Sequence, residues 1–337
     1  MMYFMLGAFL WSVVAVPPLS AVSDRAQGDP NTADPLLEYV RAVQVANLRQ
    51  FETGNLRVRL KWTRGIRHTD GATGQSSSSG WCDFRWNRTH SFGEFEYTEV
   101  RTIDKKEQVA PPRRGRFLRE HAQVSAYLPE SRLLQIRDSR RPGLPEELVN
   151  LRPNESWFMW DRPLRDLLGA NPDVPMKHIR RYEAKDLKNG EIQVRLHIAS
   201  GGYADIVAST AKGGNVIRCT SLPRSGVGCR LNWEWREDSN GRFILVHHEY
   251  LQFSDSNEDD PTYSVSMHIE SFDCDSPVND VSFDISALKL VPNTSVQDFV
   301  TGKRYKHAPD SPIADVTEEL LKGLSEKVRK QGFGARP

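Results

Sequence analysis

The sequence predicts a mainly β fold of the α+β kind, a long antiparallel sheet with a concave face, and three observations lead there. From residue 56 onward apolar residues recur with a period of two, most regularly at Leu56, Val58, Leu60 and Trp62 and at Ile192, Val194, Leu196 and Ile198. Turn-forming residues punctuate these runs, among them Asn189-Gly190, residues 238–241 and residues 255–261. The helical period is confined to residues 36–51, a short stretch at 157–168 and residues 316–328.

Along the chain, residues 1–16 are apolar apart from Ser12 and are followed by Pro17, Pro18 and small residues. The stretch is too short to span a bilayer comfortably, and Ala21 with Ser23, or Leu19 with Ala21, has signal-peptidase spacing. It reads as a cleaved signal peptide over residues 1–23; because the first cation is Arg25, an uncleaved anchor is the alternative. Residues 24–34 read as a flexible lead. The main domain follows over residues 35–308, leaving 309–337 as a C-terminal amphipathic helix and tail.

In residues 36–51 the apolar Leu36, Leu37, Tyr39, Val40, Val43, Leu48 and Phe51 share one helical face, with N-cap candidates in residues 31–34 and Gly54 as the stop. Residues 56–63 form a strand whose other side carries Arg57, Arg59, Lys61 and Thr63. Residues 76–80 read as a polar loop, followed by strands at 82–88, 92–103, 124–128 and 133–136. Trp157, Phe158, Trp160, Leu164, Leu167 and Leu168 suggest a short helix. Strands at 192–198, 203–209, 216–219, 231–235, 243–253 and 263–272 complete the pattern, and the two helices are the obvious covers for the apolar face.

Composition narrows the function. A formal net charge of +1 argues against a general nucleic-acid binder, which needs a basic field. The first half is rich in Arg and the later part in Asp and Glu, which reads as two solvated faces that attract one another across a single domain, with a partner-binding patch as the alternative. The four cysteines of an exported chain favour disulfides, with Cys219–Cys229 closing a hairpin and Cys82–Cys274 as the second bridge; four buried thiols are the alternative. No CxxC occurs, so neither a redox dithiol nor a zinc ribbon has support. His247 and His248 fall on opposite sides of one strand, while His248, Tyr250 and His268 share a face if their strands pair suitably; a metal site is not predicted from them. Ser225 lacks a GxSxG elbow and residues 255–260 lack the spacing of an EF-hand. No cofactor and no catalytic set are predicted.

Near the C-terminus, Val281, Phe283, Ile285, Leu288, Leu290, Pro292, Asn293, Thr294, Val296, Asp298, Thr301, Gly302 and Tyr305 resemble the closing strands of LolA-like proteins, the outer-membrane lipoprotein-sorting proteins and their exported relatives. Val291 before Pro292, Asn293 where Gly is usual, and Ser295 depart from that pattern. The resemblance implies a strongly curved antiparallel sheet, an incomplete β-barrel covered by helices, with an apolar interior for acyl chains. It also implies a functional Arg in the early strands, for which Arg57, Arg59 and Arg85 are candidates. An apolar concave sheet either fills with side chains or keeps room for a ligand. Candidate ligand-lining residues are Leu56, Val58, Leu60, Trp62, Phe84, Trp86, Phe95, Tyr97, Trp157, Trp160, Trp233 and Trp235. The expectation is an exported, periplasmic or extracellular, non-enzymatic carrier of a lipid or acylated protein. A structural or protein-interaction module with a filled core comes second and a hydrolase third; the C-terminal helix reads as docking its apolar stripe on the sheet, with a membrane surface or protein partner as the alternative.

Overall fold

The computed structural model describes residues 26–28, 34–67, 73–87, 89–103, 106–120, 122–138, 144–149, 151, 179–199, 201–223, 227–254, 261–275, 278, 283 and 285–307. The expected signal peptide, the aromatic stretch at 157–168 and the C-terminal helix lie outside the described residues.

The strands are β1 (Ala26–Gly28), β2 (Gly54–Arg67), β3 (Thr73–Trp86), β4 (His90–Ile103), β5 (Lys106–Val109), β6 (Arg113–Glu120), β7 (Gln123–Leu128), β8 (Leu133–Asp138), β9 (Ile179–Asp186), β10 (Glu191–Ile198), β11 (Gly202–Ser209), β12 (Asn215–Pro223), β13 (Val227–Glu237), β14 (Phe243–Ser254), β15 (Tyr263–Asp273), β16 (Ser295–Asp298) and β17 (Arg304–Lys306). They form one ladder. From β1 it runs through β9 to β15 in order, crosses to β2, continues through β3, β4, β6, β7 and β8, and ends at β16 and β17. β5 pairs with the far part of β4. Every pairing is antiparallel except that of β16 with β8.

Alternation explains which side each strand buries. On β2, Leu56, Val58, Leu60 and Trp62 are buried while Arg57, Arg59 and Lys61 are exposed. The inner faces of β9 to β15 and of β2, β3, β4, β6 and β7 join one core: Tyr182 of β9 and Ala126 of β7 belong to the same cluster although the ladder separates them widely. Only a strongly curled sheet brings such strands together. Among the described residues the sheet stays open, its ladder ending at β1 on one side and β17 on the other, and register shifts at residues 197–198, 207–208, 234–235 and 269–271 supply local bends. A second core lies on the outer side of β4, β6, β7 and β8, where Phe92, Leu118, Tyr127, Leu134 and Ile136 pack under Phe283, Leu288 and Val296.

Helical cover is thinner than the sequence suggests. Among the described residues there are two α-helices, α1 (Pro35–Gln50) and the single turn α2 (Glu146–Val149). Asp34 caps α1, its Oδ1 accepting from the Leu36 and Leu37 amides at 2.8 and 3.2 Å, with Pro35 in the first position, where its missing N–H costs nothing. Leu36, Leu37 and Val40 then enter the inner core. Gly214 admits this helix at φ +82, for a Cβ there would meet the Tyr39 hydroxyl at 2.7 Å.

Several local expectations are corrected. Residues 76–80 lie within β3, hydrogen-bonded to β2 on one side and β4 on the other. Gly80 is required there, because a Cβ would lie 2.1 Å from the Glu96 carbonyl oxygen. Residues 285–288 form a 3-10 turn, and the closing strands begin only at Ser295. Ala26–Gly28, within the expected lead, pairs with β9.

The expected disulfides are corrected too: all four cysteines are thiols. Register gives the reason. Cys219 faces Leu231 and Cys229 faces Ser221, so the two are diagonal neighbours, farther apart than a disulfide's Cβ separation of about 3.8 Å. Cys82 stands opposite Val58, which faces Ile269, so Cys274 is five residues further along the strand direction, roughly 15 Å away. Burial pushes the Cys82 thiol well above its ordinary pKa, and raises that of Cys274.

Candidate functional site

Register aligns the inner face into rows that cross the sheet. One row runs Trp233, His248, Met267, Leu60, Gly80, Tyr97. The next contains Leu231, Tyr250, Val265, Trp62, Ser78, Glu99, and the one beyond it Gln252, Tyr263, Arg64, Ser76, Arg101. Rows lie about 7 Å apart, two residues of strand rise. Within about 13 Å, therefore, the same surface passes from buried aromatic and aliphatic side chains to a charged rim.

At the rim the groups hold one another. Arg64 Nη2 donates to Glu147 Oε1 at 2.5 Å, and the Tyr263 hydroxyl donates to the same oxygen. The Arg64 guanidinium also lies 5.2 Å from the Tyr263 ring centre. Glu147 comes from α2, and its neighbours Leu148 and Val149 enter the inner core, so this one turn is tied across the rim by both charge and apolar burial. Burial raises the Tyr263 pKa and the Glu147 carboxylate adds to it; for Arg64, burial pulls down but Glu147 outweighs it, leaving the guanidinium raised. Further along, Glu99 accepts from Ser76 Oγ at 2.9 Å and from Arg101 Nε at 2.8 Å, bonds to Arg101 that hold its carboxyl below the ordinary range. Arg113 donates to the Tyr97 hydroxyl at 3.4 Å.

Below the rim the expected lining residues on β2, β3, β4 and β13 are all buried on the inner side. They separate by what fixes them. Trp86 donates its indole N–H to the Phe51 carbonyl at 2.9 Å, and Trp235 to the Val216 carbonyl at 2.7 Å, so these two are locked as packing. Phe84, stacked on Trp86 at 5.7 Å, belongs with them. Trp62 lies against Tyr97 at 5.6 Å and Trp233 is stacked on His248 at 5.4 Å. Trp157 and Trp160 lie outside the described residues. Arg57, Arg59 and Arg85 stand on the outer face: Arg57 and Arg59 bind Glu270, and Arg85 covers the Phe92 ring at 5.2 Å.

Two polar side chains inside the curve were not expected as buried, unpartnered groups. His248 is 2 % exposed; its Nδ1–H donates to the Asn232 carbonyl at 3.1 Å, leaving Nε2 as a lone-pair acceptor, buried and without a partner. Burial depresses its pKa to about 4, with the nearby His247 adding slightly and the Asn232 carbonyl opposing, so the ring is neutral at pH 7. Gln44 of α1 is fully buried on the stripe of Leu37 and Val40, and neither amide atom has a partner. The only available signals were a Gln on an otherwise apolar helix face and a His at an inward position of a strand.

His268 does not share the face of His248 and Tyr250. It is paired across strands with His247 on the outer side. Among the described residues no group of His, Cys, Asp and Glu is arranged to hold a metal. The outer face carries its own depression of about 500 Å³, lined by Arg57, Arg59, Trp81, His268 and Glu270, within which the ion pairs to Glu270 lie.

Comparison with known proteins gives a consistent but distant likeness. No protein-family model matches the chain. No curated protein matches it in sequence. Solved structures do. The chain is similar to LolA-superfamily structures. A putative outer membrane lipoprotein-sorting protein domain from Vibrio parahaemolyticus matches at 11% identity and a TM-score of 0.38, covering 75% of this chain and 97% of that one. A LolA superfamily protein from Nitrosomonas europaea matches at 9% identity and 0.38, covering 74% and 99%. A DUF1329 family protein from Desulfovibrio piger matches at 10% identity and 0.35, covering 77% and 100%.

Proposed function

We propose that the protein is an exported, non-enzymatic binding protein that holds a hydrophobic ligand, a lipid or the acyl chains of a modified protein, on the inner face of its curved sheet. The observation that carries this reading is the gradient of that face, from an apolar aromatic floor to a rim of Arg64, Glu147, Glu99 and Arg101. An amphiphile has the same profile, with apolar chains to bury and a polar end to leave in water. The orphaned atoms of His248 and Gln44 add to it, since a polar group buried without a partner costs about 1–3 kcal/mol and a bound molecule removes that cost. His248 faces Trp233 and Met267 across its strands, neither of which can be activated as a nucleophile, which favours binding over hydrolysis.

Native mass spectrometry with lipid extraction, on protein purified without detergent from its own cells, tests the reading. A stoichiometric apolar adduct is the expected result. A clean mass, together with failure to take up the fluorophore N-phenyl-1-naphthylamine, would transfer the assignment to an interaction module with a filled core. Sequencing the N-terminus of the exported product tests the signal: it should begin near residue 24.

A further inference from the structure

The buried orphan at His248 specifies more about the ligand than that it is greasy. Its tautomer is set by the bond from Nδ1 to the Asn232 carbonyl, so Nε2 can accept a hydrogen bond and cannot donate one. Its cross-strand neighbours on the inner face, Trp233 and Met267, and its row-mate Leu60 offer no donor aimed at it, and Nε2 has no partner among the described residues. Around it the inner face holds no compensation for a charge. Among the described residues no Lys or Arg is buried, and the buried acid nearest the rim, Glu147, has one oxygen already taken by Arg64 and Tyr263 and the other without a partner. An anionic group drawn to this depth would meet neither a cation nor an N–H from the imidazole. Gln44, on a helix that closes the same core, adds a carboxamide able both to donate and to accept.

Resting on the carrier reading above, we propose that the buried part of the ligand is neutral and carries a hydrogen-bond donor, a hydroxyl or an amide N–H set along the apolar body, and that His248 Nε2 receives it. His248 is thus a specificity-determining residue. It selects acyl compounds with a hydroxyl or amide near the chain over chains that bring a buried carboxylate, sulfate or phosphate. A charged head on the same molecule belongs at the rim, about 13 Å away along the strands.

The test uses three probes of equal chain length, 1-hexadecanol, its methyl ether and hexadecyl sulfate, competing with N-phenyl-1-naphthylamine on the full chain at pH 7.5. The ether keeps the oxygen acceptor but replaces the hydroxyl donor with a methyl group, which adds a little apolar bulk. In the unchanged protein the alcohol should compete about 10-fold more tightly than the ether, the difference expected of one buried hydrogen bond, and the sulfate more weakly than the alcohol. In His248→Leu the alcohol should fall to the level of the ether, with the ether unchanged. A second readout needs no variant: the Nε2 resonance of ¹⁵N-labelled His248 should move on adding hexadecanol and stay in place with the ether. Equal competition by alcohol and ether, or a preference that survives in His248→Leu, would overturn the proposal while leaving the carrier reading intact; a static resonance would assign Nε2 to a buried water instead. If neither the fluorophore nor any probe binds, the carrier reading fails and this inference with it.

Discussion

The two faces of the same strands are stabilised by different means. Outside, opposite charges stand directly across neighbouring strands: Arg57 by Asp83, Arg114 by Glu96, Arg116 by Glu94 and Arg195 by Asp205. Inside, the same register aligns aromatic and branched side chains that water never reaches. Exposed ion pairs contribute about 0–1 kcal/mol each, whereas a large buried side chain contributes several. The outer pattern therefore fixes register and solubility, and the inner one supplies the stability and, on our proposal, the binding. Nor does the basic first half simply face an acidic second half: Arg57 and Arg59 do reach Glu270, but Arg114 and Arg116 find their partners on the adjacent β4.

The sharpest way to break this contrast is Trp86→Ala. Trp86 is 1 % exposed and anchored to Phe51, so the variant should lose about 3–5 kcal/mol of unfolding free energy, read from urea titration. A loss below 1 kcal/mol would mean that the floor is loosely packed.

Next comes acid. The unfolded state takes up a proton at His248 near pH 6.5, while the native state resists until about pH 4. Stability is thus fully present above pH 6.5 and falls as pH drops through that window, by about 3 kcal/mol in all. Denaturant midpoints at several pH values from 4 to 7 should show this slope, flattened in His248→Leu; an equal slope in both proteins would refute the buried neutral imidazole.

Glu147→Gln probes the boundary between the faces. Weakening its bonds to Arg64 and Tyr263 should cost about 1–2 kcal/mol and release α2, seen as faster hydrogen exchange at Leu148 and Val149. Smallest of all, Arg114→Ala should change stability by less than about 1 kcal/mol despite its 2.8 Å contact to Glu96. A cost equal to that of Trp86→Ala would erase the distinction between the faces.

Where alternation was strong, the sequence was readable in detail: Leu56 to Trp62 on β2 and Ile192 to Leu196 on β10 are buried in the expected order. β3 was misread because Ser76, Ser77, Ser78 and Ser79 carry no hydrophobic period; their strand exists through ladders offered by β2 and β4, a tertiary effect. β6 was hidden by its arginines, though Phe117 points inward from among them. The site was legible only as a list of large apolar residues. Which of them are locked depends on indole N–H bonds to carbonyls of distant segments, and the orphaned Nε2 depends on a cross-strand carbonyl; neither has a signature in local spacing. The disulfides failed for the same reason, since a pairing decided by a two-residue stagger cannot be read from counts.

The route of the chain also imposes an order in time. β2 meets β3 at once, but its other edge has no strand to receive it until β15 is made, and β8 waits for β16. Sequence-distant pairings of this kind fold slowly, because the entropy of the long loop is lost before the contacts form. A nascent chain ending before residue 263 presents the open edge of β2, and one ending before residue 295 that of β8. Both are templates for another molecule's strand. The interval from the completion of β8 to the arrival of β15, when both edges are open at once, is when the protein is most vulnerable to aggregation, and connectivity alone sets where it begins and ends.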